Sequence, residues 1–235
     1  MFAGTENRTT PTSGRRVAIV GRLGVHPMVR LTLPARRVMA FLALHDEPVS
    51  RPAAAGRLWP DIVDSQARSN LRRSLWQVPP SWVRSVGDEL SLDAVVDYPD
   101  ARRIAAAALQ GAPLDLGAIE LLSEDLLPGW HEEWVIPAQN SFRMLRVQAL
   151  EAACRSMTAS GDHALATQAG MAALAGEPLS ESAAEALISA YLSQGNRYAA
   201  ARCFHEFCIV LREELQVEPD AQLSSRLAES GIPPE

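Results

Sequence analysis

Residues 181–220, ESAAEALISAYLSQGNRYAAARCFHEFCIVLREELQVEPD, decide the fold of this chain. Leu187 and Tyr191 stand four apart and share one face of a helix. Gly195 supplies the tight turn before a second helix, because a residue without Cβ reverses the chain there without obstruction. Ala200 is small enough to let that second helix approach the first, and Phe204 fills the space one turn on. The arrangement repeats upstream. Gly161 precedes Gly195 by 34 residues, and Ala166 precedes Ala200 by the same interval. Pro178 stops the earlier copy. Amphipathic helix pairs at fixed spacing predict a domain that buries a shared core and leaves a surface for other proteins.

The 34-residue period resembles that of tetratricopeptide repeats. A chain of 235 residues has room for two small domains, and its charge divides accordingly. Residues 15–92 carry 12 Arg against 6 acidic residues, a net of +6, whereas residues 93–235 carry 9 Arg against 21, a net of −12. A basic small domain beside an acidic one is the footprint of nucleic-acid binding in the first half only. All 22 basic residues are arginine, which with the abundant alanine points to a GC-rich genome. Residues 1–14 lack periodicity and are expected to form a disordered tail. No apolar run is long enough to span a bilayer, and the N-terminus lacks a signal-peptide core. Together with three unpaired cysteines, Cys154, Cys203 and Cys208, this predicts a cytoplasmic protein with reduced thiols.

In the first domain, expected over 15–93, Val17–Val20 and Val29–Leu33 read as strands around a turn at Gly24–Pro27. Ala35–His45 has apolar residues at helical spacing and is read as a core helix. Ser50 caps a second helix that Pro60 stops. Asp64 is expected to cap a third, DSQARSNLRRSLWQV, ended by Pro79-Pro80. Trp82–Val86 and Glu89–Leu92 flank Gly87-Asp88 as a β-ribbon. This is the element order of a winged helix-turn-helix. From Asp97 to about 230 the pattern is helical, so the expected fold is mainly α: an α+β winged helix followed by an all-α, tetratricopeptide-like domain.

On the third helix Ala67, Leu71, Leu75 and Val78 fall on one face and are expected to pack inward. Ser65, Arg68, Ser69, Arg72 and Arg73 lie on the flank and opposite face, where arginine can read guanine and serine can hold phosphate. Arg84 is placed as a wing residue, and Arg36, Arg37 and Arg51 as phosphate clamps. Solubilising charge on an exposed helix face is the competing reading of Arg72 and Arg73, and the element order with the local charge favours DNA. Trp76 sits opposite the packing stripe. It could stack on the ribbon, touch DNA or dock the second domain, and the rarity of bare tryptophan favours docking.

Leu126–Val135 (LLPGWHEEWV), the following SFRMLRVQALEAAC, Glu177–Glu181 (EPLSE) and Leu215–Asp220 (LQVEPD), in this order, resemble the Streptomyces antibiotic regulatory proteins. Their relatives join an OmpR-type winged helix to a bacterial transcriptional activation domain. The likeness covers about residues 17–230 and is looser in VSRPAAAGRLWPD, SNLRRSLWQV and VRSVGDELSLD. It implies an activator that binds direct-repeat promoter DNA and recruits RNA polymerase holoenzyme, with a homodimer on DNA and a place at the nucleoid. By the same analogy the loop Trp59, Pro60, Asp61, Ile62, Val63 and Asp64 touches polymerase, and residues 97–230 form the activation domain. The recognition helix departs from the family at Trp76, Gln77 and Pro79, where further basic residues usually follow. A chain ending at Glu235 resembles the small, stand-alone members.

No cofactor, metal or catalytic group is expected. Cys203 and Cys208 are five apart on a helix and point apart, and neither they nor His163 and His205 form a ligand pair at metal spacing. Glu132-Glu133 and Glu213-Glu214 point in different directions as neighbours on helices. Gly21–Gly24 lacks the spacing of a phosphate loop. The alternative to a DNA-binding regulator is a protein–protein adaptor whose winged helix has lost its DNA role.

Overall fold

A computed structural model describes residues 14–229, so the tail expected over 1–14 lies, apart from Gly14, outside the described residues. The chain divides into two compact units. The first takes in the chain through Asp100 together with Leu126–Ala138, and the second Ala101–Asp125 with Gln139 onward. Among the described residues no helix is long and apolar enough to cross a membrane.

In the first unit, β1 (Arg16–Ala18) pairs antiparallel with β2 (Gly24–His26) and parallel with β6 (Val95–Val96). Val29–Leu33, read as a strand from its alternating apolar residues, is not one, and the stretch read as a turn supplies β2 instead. The cause lies at Thr32 and Pro34. Thr32 accepts a hydrogen bond from the Ala35 amide, and Pro34 sits in the first turn, so this segment starts α1 (Leu33–Ala43). Val38, Met39, Phe41 and Leu42 of α1 are buried. After β3 (Val49–Ser50), Ser50 caps α2 (Arg51–Leu58) through the Ala53 amide. Next come α3 (Asp64–Leu75) and the ribbon of β4 (Val83–Val86) and β5 (Glu89–Leu92), with β3 on the other edge of β5. Gly87, at φ +59°, leads the two-residue ribbon turn, a backbone region that glycine enters without steric cost.

The motif Leu126–Val135, read above with the second domain, packs in the first unit. Leu126, Leu127 and Val135 are buried, and the Leu127 amide donates to the Ile19 carbonyl at 2.9 Å. Trp134 meets Phe41 edge-on at 5.4 Å, and Trp130 meets Trp134 at 6.0 Å, both tryptophans being half-buried. Asp97, at the start of α4 (Asp97–Leu109), accepts from the Ile19 amide at 2.9 Å and from Val20. Burial pushes its carboxyl above the usual range, against the lowering effect of those amides.

The second unit is helical. It holds α4 from Ala101, α5 (Leu116–Ser123), all but the first turn of α6 (Ile136–Ser160), α7 (His163–Gly176), α8 (Glu181–Ser193), α9 (Arg197–Leu215) and α10 (Ala221–Glu229). No strand occurs over 140–215. The two glycine turns match atom for atom. Gly161 has φ +82° and Gly195 φ +79°, and each is followed by a cap residue, Asp162 or Asn196, whose side chain accepts from the third amide on. The amides of those cap residues bond the carbonyls of Met157 and Tyr191, themselves 34 residues apart. Ala166 and Ala200 are both fully buried. Leu187, Ile188, Phe204, Phe207 and Leu211 form the core of the second pair. In the first pair Gly170 occupies the place of Phe204. A Cβ there would lie 3.0 Å from Cys154 Sγ and 3.1 Å from Leu187, so the helices meet too closely for a side chain.

Candidate nucleic-acid interface

The inward face of α3 is set by Ala67, Leu71 and Ser74, all buried, with Val78 just beyond. Leu75, expected in that stripe, is half-buried, because Ser74 turns inward and donates to the Asn70 carbonyl at 2.9 Å. Asp64 is not the cap but the first helical residue. Val63 occupies the cap without a side-chain bond, and Asp64 places its negative charge by the helix N-terminus.

With that side committed, Ser65, Arg68, Arg72 and Arg73 are exposed and Ser69 is half-buried. Arg68 pairs with Asp64 at 3.3 Å, and Arg73 donates to the Asn70 side chain at 3.2 Å. Both contacts lie in water, where such pairs hold a side chain only weakly. Arg72 has no partner among the described residues, and its guanidinium is open to a ligand.

The flanking arginines divide. Arg36 is exposed. Arg37, expected as a phosphate clamp, is instead part of the fold. It donates to the Leu58 carbonyl at 2.9 Å, pairs with Glu132 at 3.3 Å and lies 5.6 Å from the Trp59 ring centre. Arg51 ties the start of α2 to the ribbon through Ser85 Oγ at 2.9 Å. Arg84 shares Asp93 with Arg15, each at 3.1 Å, so the expected wing cation is tied to a carboxylate of its own domain. The ribbon turn itself carries exposed Asp88 and Glu89. Sequence reasoning passed over this acidic tip, although GDE stands plainly at the turn. It also passed over Arg16, Arg22 and Arg30, three exposed arginines near β1 and β2.

In the loop between α2 and α3, Trp59 is half-buried beside Arg37, whereas Pro60, Asp61, Ile62 and Val63 are exposed. Val63 is 72% exposed and offers an apolar contact. Trp76, expected to be covered, is 84% exposed. No group of three or more metal-binding side chains occurs among the described residues. The three cysteines are buried, and burial pushes the thiols of Cys154 and Cys203 up to about 11, so they stay protonated at neutral pH.

Comparison with known proteins adds the family. The Bacterial transcriptional activator domain matches residues 94–229. Among solved structures, Mycobacterium tuberculosis EmbR in complex with a low-affinity phosphopeptide is similar, with a TM-score of 0.63 and 20% identity. The match covers 94% of this chain and 66% of that one, so the chain spans just under two thirds of EmbR. At that identity the likeness speaks for the fold, a winged helix with a helical domain. No curated protein matches the sequence. Matched over more than half its length, the chain belongs to the Bacterial transcriptional activator domain family.

Proposed function

We propose that this protein binds promoter DNA in a sequence-specific way, with α3 in the major groove, and acts as an activator. The observation that carries the reading is the outward face of α3, where Arg72 stands without a partner between Arg68 and Arg73. A B-DNA major groove admits one α-helix, and an unengaged guanidinium suits the O6 and N7 of guanine. Ser65, Ser69 and Arg36 supply phosphate contacts, and Arg51 and Arg84 stand nearby in reduced roles. In this reading residues 15–93 read DNA and residues 97–230 bind protein. The exposed Pro60–Val63 loop meets RNA polymerase, and two copies bind a direct repeat at the nucleoid of the cytoplasm.

Selection from a pool of randomised duplex DNA tests the proposal. The full chain is expected to enrich one short motif, repeated in the same orientation. Recovery of unbiased sequences would favour the adaptor reading, which the acidic ribbon tip also motivates.

A further inference from the structure

Trp76 is unexplained by the fold. Its backbone keeps helical angles (φ −64°, ψ −20°), and its amide bonds the Arg72 carbonyl at 3.2 Å, so the phase of α3 runs through it. At about 100° per residue, Ser65, Ser69, Arg72 and Trp76 fall within about 60° of one another, opposite Ala67, Leu71 and Ser74. The indole therefore lies on the central outward stripe of the helix, with Arg68 and Arg73 on its flanks. It makes no side-chain hydrogen bond or ring contact among the described residues.

Resting on the reading that α3 enters the major groove, we infer that Trp76 is a base-reading residue that packs against the C5-methyl of thymine. The chemistry selects this partner. The stripe carries the cation and hydroxyls that fit a phosphate-lined groove, and within that groove the apolar group on offer is the thymine methyl. Apolar wedges between base steps belong to proteins that work from the minor groove, which α3 does not. The distance also fits. From Arg72 to Trp76 the helix rises about 6 Å, close to the span of two base-pair steps, so the two side chains address nearby positions.

The test uses the full chain and the duplex selected by it, in which each thymine is replaced in turn by deoxyuridine, which lacks only the methyl. At one position the replacement should weaken the parent about fourfold, the size of one buried methyl group. Trp76→Ala should lose preference for thymine at that position alone and be indifferent to deoxyuridine there, while Trp76→Phe keeps part of the effect. Since the side chain stands in water, both variants should melt with the parent. A specific parent whose preferences and deoxyuridine response are unchanged by Trp76→Ala overturns the inference and assigns the indole to a protein partner. A uniform loss of affinity with unaltered base preference overturns it too. Failure of the parent to select any sequence removes the underlying DNA reading first, and this inference with it.

Discussion

At Ala200, fully buried, the second helix of the repeat lies in the core formed with Leu187, Ile188 and Phe204. Ala200→Leu should overpack the crossing and cost ~1–3 kcal/mol, and Phe204→Ala should open a cavity costing ~3–5 kcal/mol. Denaturant melts measure both, and variants as stable as the parent would contradict the packing. These residues were legible because size and spacing alone define them. Gly170 was not, since only the approach of Cys154 and Leu187 shows why a helix interior tolerates glycine there. Arg146 was equally hidden. It is 2% exposed, donates to the Leu122 carbonyl at the end of α5 at 3.2 Å and pairs with Asp125. Nothing in the local sequence distinguishes it from the exposed Arg143 one turn earlier. Glu151, also buried, accepts from Ser180 at 3.1 Å, Ser182 at 3.0 Å and Arg155 at 3.1 Å. Arg155, which also donates to the Ser182 carbonyl at 3.3 Å, thereby supports the start of α8.

Helices with strong caps and apolar stripes were read closely, as α2 with Ser50 and the ribbon around Gly87 show. Errors fell where two local signals compete. Val29–Leu33 alternates like a strand, but the Thr32 cap and Pro34 prevail and begin a helix. On α3 the arithmetic of the helix placed Leu75 inward, and a serine that bonds its own backbone took the position instead. The acidic ribbon tip changes what the wing does. With Arg84 paired to Asp93 and Asp88 and Glu89 exposed, the tip of the ribbon carries two negative charges that would oppose a phosphate placed there. Asp88→Asn/Glu89→Gln should therefore tighten binding to duplex DNA a few-fold at low salt, with the gain fading as salt screens the charges. Fluorescence anisotropy across a salt series would show it, and weaker binding by the double variant would mean that the tip makes a favourable contact.

For the molecule as a whole, the switch from a basic α+β half to an acidic helical half was visible in charge and period. Which unit claims LLPGWHEEWV was not. That assignment rests on Leu127 meeting Ile19 and on Glu132 meeting Arg37, contacts between residues far apart in sequence. The candidate site was half legible. Helical phase identified the outward arginines of α3, but only the folded chain shows that Arg37 serves the interior while Arg72 stands unengaged. The measurement that bears most directly on the central claim is the salt dependence of duplex binding by the parent and by Arg72→Ala/Arg73→Ala, with Arg197→Ala as the control from the helical half. Each arginine that releases a counterion from phosphate contributes about one to the slope of log K against log salt. The double variant, still folded by circular dichroism, should lose about two units of slope, or lose specific affinity by ~1–3 kcal/mol for each arginine that reads a base. Arg197→Ala should leave both unchanged. A double variant that binds the selected duplex with the parent's affinity and slope would contradict DNA reading by α3.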